Sequence, residues 1–508
     1  MPARILTFLI VVAIGLLGAP HLPPESVVHR VSEARLASFP AWLAVTAAKA
    51  ATAAEVVKRP NVLFIAVDDL RPQMGCYGQS QMVTPHLDAL AASGTRFDLA
   101  NCMVPVCGAS RSSLMTGLRP TRSRFRTWNC STEKDAPGIV PLNAHFKQHG
   151  YDTLTNGKVF NNPGDCQYGW SEPDWRPGPM RYHVPENQRL HLERNVDGRR
   201  RGPATEMSDA PIKEYRDGEV LGKSLEDLRR LARKEQPFFL AVGFHRPHLP
   251  FVAPRKYWEL YDRSRIKLPG TYREAPQGAP SQALHTFGEL RAYADIPARG
   301  PVSDETAITL IHGYYACVSF VDSLVGALLD ELDRLELSGN TIVVLWGDHG
   351  WNLGEHTLWC KHCCFETSLR APLLVRVPGM PAGVKCRAPV EFIDVYPSLC
   401  ELAGLPLPEH LQGTSFVPLL RGADGQTGKQ AAIGRYGNGE TIRTTQYRYT
   451  EYLDDRGRPM ARMLYDHQAD PDETVNVVEH PANRELVDRL SKRLRETRGS
   501  PPRHPSAR

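Results

Sequence analysis

The sequence has no apolar run long enough to cross a membrane and no dominant block of one charge. Its strongest apolar run, residues 5–17, is shorter than the roughly 20 residues that a spanning helix needs. The chain carries 61 Lys and Arg residues against 56 Asp and Glu residues, a net charge of +5 spread over 508 residues. We therefore expect no membrane span in the mature chain and no nucleic acid partner.

The N-terminal 55 residues have the pattern of an export signal. Arg4, the apolar run over residues 5–17 and the small residues Gly18 and Ala19 stand in the order of a secretory signal. A second small-residue cluster over residues 50–53 leaves the cleavage point open, and a retained, membrane-tethered leader is the alternative. We predict a leader over residues 1–55 and export to a periplasmic, extracellular or lysosome-like compartment.

Cysteine is not scarce, but its number is odd. Eleven cysteines in an exported chain favour disulfides, and at least one thiol must then be free, modified or paired with another molecule. The hydrophobic share of 42% is enough for a large folded domain and a smaller one.

Apolar runs and helical patterns alternate along the chain. Three continuous apolar runs, each typical of a parallel strand covered on both faces, span residues 61–67, 238–243 and 341–346. Helical signals cover residues 85–93, 224–234 and 304–337. This alternation predicts an α/β fold with a large, mostly parallel sheet flanked by helices.

The rest of the chain divides by composition. Two long polar stretches, residues 169–213 and 268–301, lack periodicity, and we assign them to the rim of a cleft. Short alternating segments after residue 420, followed by a helix over 484–496, predict a small antiparallel sheet with one covering helix. We predict a catalytic domain over 56–425, a C-terminal subdomain over 426–498 and a disordered tail over 499–508.

Polar side chains follow each of the three apolar runs. Asp68 and Asp69 follow the first run and Asp348 follows the third, so three hard oxygen ligands meet at one edge of the sheet. Their mutual repulsion favours a bound divalent cation, Ca²⁺ or Mg²⁺. His349 is an unusual ligand for calcium. A turn-capping role for the Asp pair is the alternative.

Cys107 precedes a predicted helix over residues 110–117. A position near a helix N-terminus suits a nucleophile or a bound anion. Arg111, Lys158 and Lys361 could complement a tetrahedral oxyanion, although a single cation is more often a solvated surface charge. His245 and His248, which follow the second apolar run, could serve as acid or base or be structural.

Seven ordered segments resemble the type I sulfatases, and most closely the iduronate-2-sulfatase-like branch of that family. The matching segments are residues 60–72, 107–111, 114–117, 156–160, 238–250, 347–356 and 464–471. The resemblance implies an alkaline-phosphatase-like catalytic domain, a smaller C-terminal subdomain and conversion of Cys107 to formylglycine. That conversion would also account for the odd thiol.

The resemblance also implies a role for each matching residue. Asp68, Asp69, Asp348 and His349, with the modified Cys107, would hold Ca²⁺, with Mg²⁺ the weaker candidate. Arg111 would stabilise the aldehyde hydrate, Lys158 and Lys361 would bind sulfate oxygens, and His248 would face the leaving group. We give His245 and His356 supporting roles. The implied substrate is a sulfated uronic acid or another sulfated sugar, and the implied partner is a formylglycine-generating enzyme.

Two positions depart from the family pattern. Ala109 stands where many members have Pro, which bears on the choice of maturation enzyme. Asn161 stands where the branch has His, and an amide cannot act as a base near neutral pH. Two other functions stay open: a phosphate mono- or diester hydrolase on the same fold, and a catalytically silent glycan-binding homologue.

Overall fold

The computed structural model describes residues 59–196, 199–422 and 429–499. The predicted leader over residues 1–55 and the predicted domain boundary at residue 426 lie outside the described residues. The predicted tail does too, except for Gly499, which ends a helix.

The strands are numbered in chain order. They are β1 Asn61–Val67, β2 Thr95–Asn101, β3 Asp152–Gly157, β4 Asn195–Val196, β5 Arg199–Arg200, β6 Thr205–Ser208, β7 Phe238–Phe244, β8 Phe251–Pro254, β9 Thr341–Gly347, β10 Asn352–Leu353, β11 Trp359–Cys360, β12 Leu373–Arg376, β13 Val384–Glu391, β14 Ala432–Tyr436, β15 Gly439–Arg443, β16 Tyr447–Leu453 and β17 Pro459–Asp466.

The α-helices are numbered in the same way. They are α1 Pro85–Ala92, α2 Cys107–Thr116, α3 Thr132–Asp135, α4 Leu142–Gln148, α5 Pro185–Glu193, α6 Arg216–Leu231, α7 Arg255–Trp258, α8 Gly288–Arg291, α9 Asp304–Arg334, α10 Glu366–Leu369, α11 Val395–Leu402, α12 Val417–Leu420 and α13 Arg484–Gly499.

A seven-stranded sheet forms the centre of the larger part, in the order β13-β2-β12-β9-β1-β7-β3. All its neighbouring strands pair in parallel except β12, which is antiparallel to both β2 and β9. Strands β1, β7 and β9 are buried along their whole length, which explains their continuous apolar sequence. The predicted α/β fold with a mostly parallel sheet is confirmed.

Helices cover both faces of this sheet. Helix α9 is the longest, and the Ser303 side chain caps its N-terminus by accepting a hydrogen bond from the Thr306 amide. Among the described residues, α9 alone is long and apolar enough to cross a membrane, yet 78% of its most apolar window is buried inside the protein. Packing against the sheet therefore explains its apolar character.

Helix α6 begins earlier than the sequence predicted. The predicted helical signal covered residues 224–234. In the structure the helix starts at Arg216, and a Cβ on Gly218 would lie 1.8 Å from the Ile212 carbonyl oxygen. The close approach of the preceding turn therefore requires glycine inside the first part of this helix.

The C-terminal sheet has the predicted antiparallel form. Its order is β14-β15-β16-β17, and Leu490 and Leu494 of α13 pack with Ile442, Tyr449 and Leu464 of the sheet. This arrangement confirms the predicted small sheet with one covering helix.

A buried ion pair joins this sheet to the rest of the fold. The Arg448 guanidinium on β16 is 1% exposed and donates to the Glu366 carboxylate on α10. The same guanidinium lies 3.3 Å from a carboxylate oxygen of Glu473. Because a buried charge needs a partner, this contact fixes the sheet against the larger part of the fold.

The expectation of disulfides was wrong for this structure. All eleven cysteines lie within the described residues, and none is bonded to another. All but Cys76 are buried, several of them inside the apolar clusters of the core. These thiols therefore behave as small apolar side chains.

Candidate active site

The carboxyl ends of three neighbouring strands bring the predicted polar residues together. Val67 at the end of β1 pairs with Phe244 on β7 and with Gly347 on β9, so the residues that follow all three strands meet at one edge. Asp68, Asp69, Asp348 and His349 follow there, and all four are fully buried. The Asp69 amide donates a hydrogen bond of 2.9 Å to Asp348 Oδ1, which ties two of the strand ends together.

Cys107 lies over this edge as the first residue of α2, earlier than the predicted helix start. Its Sγ lies 3.3 Å from His349 Nε2 and 3.7 Å from Asp69 Oδ1. Gly108 lets the segment that contains Trp128 pack closely against the start of α2, because a Cβ there would lie 2.1 Å from the Trp128 carbonyl oxygen. Burial raises the pKa of the Cys107 thiol well above its usual range, and the nearby Asp68 charge adds to the effect.

Two overlapping groups of side chains could hold a metal ion. Ligand atoms of Asp69, Cys107, Asp348 and His349 lie within 4.8 Å of one another, and so do those of Asp68, Asp69, Cys107 and His248. The buried carboxylates supply hard oxygen donors and excess negative charge at one point, so the donor set fits a divalent cation such as Ca²⁺ or Mg²⁺.

Arg111 ties the carboxylates to α2. Its guanidinium is fully buried and donates to Asp348 Oδ2 at 2.9 Å and to Asp68 Oδ1 at 3.0 Å. It also donates to the backbone carbonyls of Lys158 and Val159. One side chain therefore fixes two strand ends and the chain after β3 in a single arrangement.

Two lysines each pair with one of the adjacent carboxylates. Lys158 Nζ lies 2.6 Å from Asp68 Oδ2, and Lys361 Nζ lies 3.1 Å from Asp69 Oδ1. Burial alone would raise the pKa of Asp68, but Lys158 and Arg111 lower it well below its usual range. Burial raises the pKa of Asp69, although His248 and Lys361 oppose this. The carboxylates therefore differ in charge environment although they are adjacent.

The backbone around Lys361 is strained. Cys360 and His362 on either side of it have φ values of 69° and 74°, and Asp69 has a φ of 59°. Residues with a Cβ rarely adopt this left-handed conformation, and strain of this kind concentrates at functional sites. The fold therefore holds Asp69 and both neighbours of Lys361 in unusual backbone conformations.

His248 shares a partner with Lys361 that the sequence reasoning missed. A carboxylate oxygen of Glu289, on α8, lies 3.2 Å from His248 Nε2 and 3.0 Å from Lys361 Nζ. Burial alone would raise the pKa of Glu289, but Lys361 and His248 lower it well below its usual range. Glu289 falls in the polar stretch over residues 268–301, where no motif or periodicity marked it.

The three supporting residues differ in their positions. His245 Nδ1 lies 3.3 Å from an Asp217 oxygen, and burial, together with the charge of Arg216, lowers the pKa of His245 to about 3. Asn161 donates its side-chain amide to the Trp128 carbonyl at 2.7 Å. The His356 ring packs against Phe365, 4.9 Å between centroids. Within the described residues, neither metal-binding group includes His245, Asn161 or His356.

A pocket of about 220 Å³ opens beside Lys158 and His248. Its lining includes a set of basic residues that we call the basic wall: His191, Arg200, Arg201, Arg216 and Arg246. The predicted rim stretch over residues 169–213 supplies Arg200 and Arg201, and the stretch over 268–301 contributes Tyr293. The run of three arginines ending at Arg201 was a visible signal that the sequence reasoning did not use.

The basic wall has more donors than acceptors. Arg201 Nε, Arg216 Nε and His191 Nδ1 are buried and have no hydrogen-bond partner. Burial, together with the charges of Arg200 and Arg201, lowers the pKa of His191. Buried donors without acceptors are rare in folded proteins, so this wall is suited to an anionic ligand.

The sequence matches the family model described as sulfatase over residues 60–405, and a second model, described as the C-terminal part of N-sulphoglucosamine sulphohydrolase, over residues 354–500. Iduronate 2-sulfatase of Mus musculus is 32% identical over 396 residues, which cover 70% of this chain and 71% of that relative.

Two solved structures have a similar fold. One is a protein in complex with its substrate D-glucosamine-2-N,6-O-disulfate, at 22% identity and a TM-score of 0.69, covering 87% of this chain and 97% of the other. The second is a phosphonate monoester hydrolase from Silicibacter pomeroyi, also at 22% identity, with a TM-score of 0.70 and coverage of 87% and 96%. Both similarities support the fold of this chain, and the reaction has to be inferred from the residues of the site.

Proposed function

The chain belongs to the sulfatase family, and from that premise we propose that it hydrolyses the sulfate ester of a sulfated saccharide, with Cys107 converted to formylglycine. The observation that carries the proposal is the convergence of Cys107 with buried carboxylates and three cations at one sheet edge. Arg111, Lys158 and Lys361 all reach this point. With a divalent cation bound as well, a tetrahedral anion beside Cys107 would lie among preorganised positive charges.

The residues of the centre divide into two tasks. Asp68, Asp69, Asp348 and His349, with the converted Cys107, would hold a divalent cation, for which Ca²⁺ fits the oxygen-rich donor set best. The cation would supply positive charge for the transferring group, and the formylglycine hydrate would supply the nucleophilic oxygen. Arg111 keeps the two ligand-bearing strand ends in register with α2.

The remaining cations would bind the substrate. Lys158 contacts Asp68 and Lys361 contacts Asp69, and both would bind sulfate oxygens. His248 lines the pocket that contains the basic wall, so its imidazole would face the oxygen that leaves with the sugar. Glu289 contacts both His248 and Lys361 and would keep their side chains oriented.

The basic wall supports a sugar with a second anionic group as the substrate. Unpartnered donors on Arg201, Arg216 and His191 could bind a carboxylate or a second sulfate. A sulfated uronic acid provides that pair of groups, and the relative from Mus musculus is an iduronate 2-sulfatase. We propose a glycosaminoglycan or another sulfated polysaccharide as the source of this sugar, a maturation enzyme as partner, and export of the protein.

Paired esters of one alcohol test the reaction class. We expect the purified protein, expressed with a formylglycine-generating enzyme, to hydrolyse 4-nitrophenyl sulfate much faster than 4-nitrophenyl phosphate. Faster hydrolysis of the phosphate ester would favour the phosphatase alternative and overturn the proposal. Sulfate release should then be measured across a panel of sulfated disaccharides, where absence of release from every member would support a silent glycan-binding protein.

A further inference from the structure

A second cavity lies apart from the catalytic pocket, where the segment after α2 meets the C-terminal sheet. It measures about 250 Å³, and its lining includes Arg119, Arg122, Arg124 and Arg435. We call this cavity the basic cleft. Its cations come from a short segment of the catalytic part and from strand β14, so two parts of the fold build it together.

Two of these arginines have buried donors that find no acceptor. Arg435 is 8% exposed, and its Nη2 donates to the Gly437 carbonyl at 3.1 Å, but its Nε has no partner. Arg124 donates from Nη2 to the Arg119 carbonyl at 2.9 Å, and its Nε likewise has no partner. Two orphaned guanidinium donors in one cavity indicate a site for an anion with oxygen acceptors.

The charges around the cleft do not balance. Arg119 is neutralised by a bidentate pair with Glu391, and Glu440 stands opposite Arg435 across the strands. Burial lowers the pKa of Arg435, with Arg122 and Arg126 adding to this and Glu440 opposing it. Burial also lowers the pKa of Arg124, against the charge of Asp135. Positive charge remains in excess after these partners are counted.

The same segment leads back to the catalytic centre. Arg126 and Trp128 follow Arg124 and are exposed, Trp128 by 52%. The Trp128 carbonyl oxygen lies against Gly108, the residue after Cys107. It also accepts a hydrogen bond from the Asn161 side-chain amide. Four residues of extended chain span at most about 14 Å, so the cleft is within a few sugar units of the centre.

We propose that the basic cleft binds a distal anionic unit of a sulfated polysaccharide chain while another unit of the same chain lies in the catalytic pocket. This inference rests on the proposed function for the occupant of the catalytic pocket. It adds a second binding site, and it predicts that the enzyme prefers a chain to a disaccharide. Exposed Trp128 and Arg126 lie between the two sites and could contact the connecting sugars.

Binding to an inactive protein tests this inference without turnover. In the Cys107→Ala background, calorimetry should compare a heparin hexasaccharide with a heparin disaccharide. We expect the hexasaccharide to bind about tenfold more tightly, the effect of one charge-assisted contact. Arg124→Gln combined with Arg126→Gln should remove that difference, and Arg435→Lys, which keeps the charge but loses the Nε donor, should reduce it.

Arg334→Gln is the matched control, because this arginine is 60% exposed. It ends α9 and precedes the N-terminal end of β9, whereas the catalytic residues follow the C-terminal end of that strand. It should leave the length preference intact. Equal affinity for the two oligosaccharides in the parent protein, or equal losses for both on substitution, would overturn the inference. Tight binding of a single-stranded DNA oligonucleotide, lost in the same variants, would overturn the choice of polysaccharide.

The readout separates this inference from the proposed function. If the unsubstituted protein hydrolyses 4-nitrophenyl sulfate but its Cys107→Ala variant binds the two oligosaccharides equally, only the basic cleft is removed from the account. Length-dependent binding by a protein that hydrolyses no sulfate ester would overturn the proposed function and leave the cleft as a glycan-binding site.

Discussion

The proposed catalytic centre and the basic wall lie side by side, yet their charges are arranged in opposite ways. In the centre each carboxylate has a cation within hydrogen-bond distance, as in the pairs of Asp68 with Lys158 and of Asp69 with Lys361. In the wall, buried donors on Arg201 and Arg216 have no acceptor. Internal compensation keeps the centre in one geometry, whereas the uncompensated wall is suited to a charged ligand.

Removal of the proposed nucleophile should have the largest effect and should affect the centre alone. We expect Cys107→Ala to lower kcat/KM for 4-nitrophenyl sulfate by about 10⁴-fold or more, as loss of a nucleophile does elsewhere. Circular dichroism and the unfolding midpoint should stay close to those of the parent protein. A folded variant that retains a substantial part of the rate would contradict the assignment of Cys107.

Loss of a carboxylate ligand should remove metal and activity together. Asp68→Asn and Asp348→Asn should each weaken metal binding by more than the roughly 10–100-fold that loss of an outer-shell partner costs. Elemental analysis and activity measured on the same samples decide this.

Asp152→Asn is the control for both variants, because Asp152 begins β3 at the other edge of the sheet, where Lys234 pairs with it. It should keep the metal and the rate. Stoichiometric metal in either ligand variant would show that the site is misplaced.

Removal of a sulfate-binding cation should lower the turnover rate and leave metal binding unchanged. Lys361→Ala should keep the bound metal and lower kcat by about 10²–10³-fold, the usual cost of removing one donor to a developing charge. The comparison of metal content with rate separates this residue from the ligands. Loss of metal in parallel with activity would assign Lys361 to the metal site instead.

A change in the basic wall should have a smaller and more selective effect. Arg201→Gln should raise KM about tenfold for a sulfated disaccharide with a free uronate carboxylate, because one charge-assisted hydrogen bond is lost. The methyl ester of the same disaccharide should show a smaller change. Equal effects on both substrates would mean that Arg201 does not bind the uronate carboxylate.

The sequence was sufficient for the sheet type, for three of its seven strands and for the polar residues that follow them. The continuous apolar character of β1 and β9 revealed their burial, and the Asp and His residues directly after them had to share one edge once the strands ran in parallel. The sequence also placed Cys107 close to a helix N-terminus, although the helix begins at Cys107 itself and not at residue 110. These features depend on short segments of the sequence, so the pattern of residues within each segment is enough to predict them.

Features that depend on long-range contact were not predictable in this way. Glu289 reaches Lys361 and His248 from a stretch without periodicity, so only the folded chain reveals the contact. The cysteine count suggested disulfides, but the fold buries the thiols without joining them. His356 lies in a matching motif, yet its ring packs against Phe365.

The mass of the peptide that contains Cys107 tests the central claim most directly. Protein expressed with a formylglycine-generating enzyme and active on 4-nitrophenyl sulfate should be digested and analysed by mass spectrometry. The account predicts that the sulfur and two hydrogens of Cys107 are replaced by one oxygen, in proportion to the specific activity. An unaltered thiol in fully active protein would contradict it.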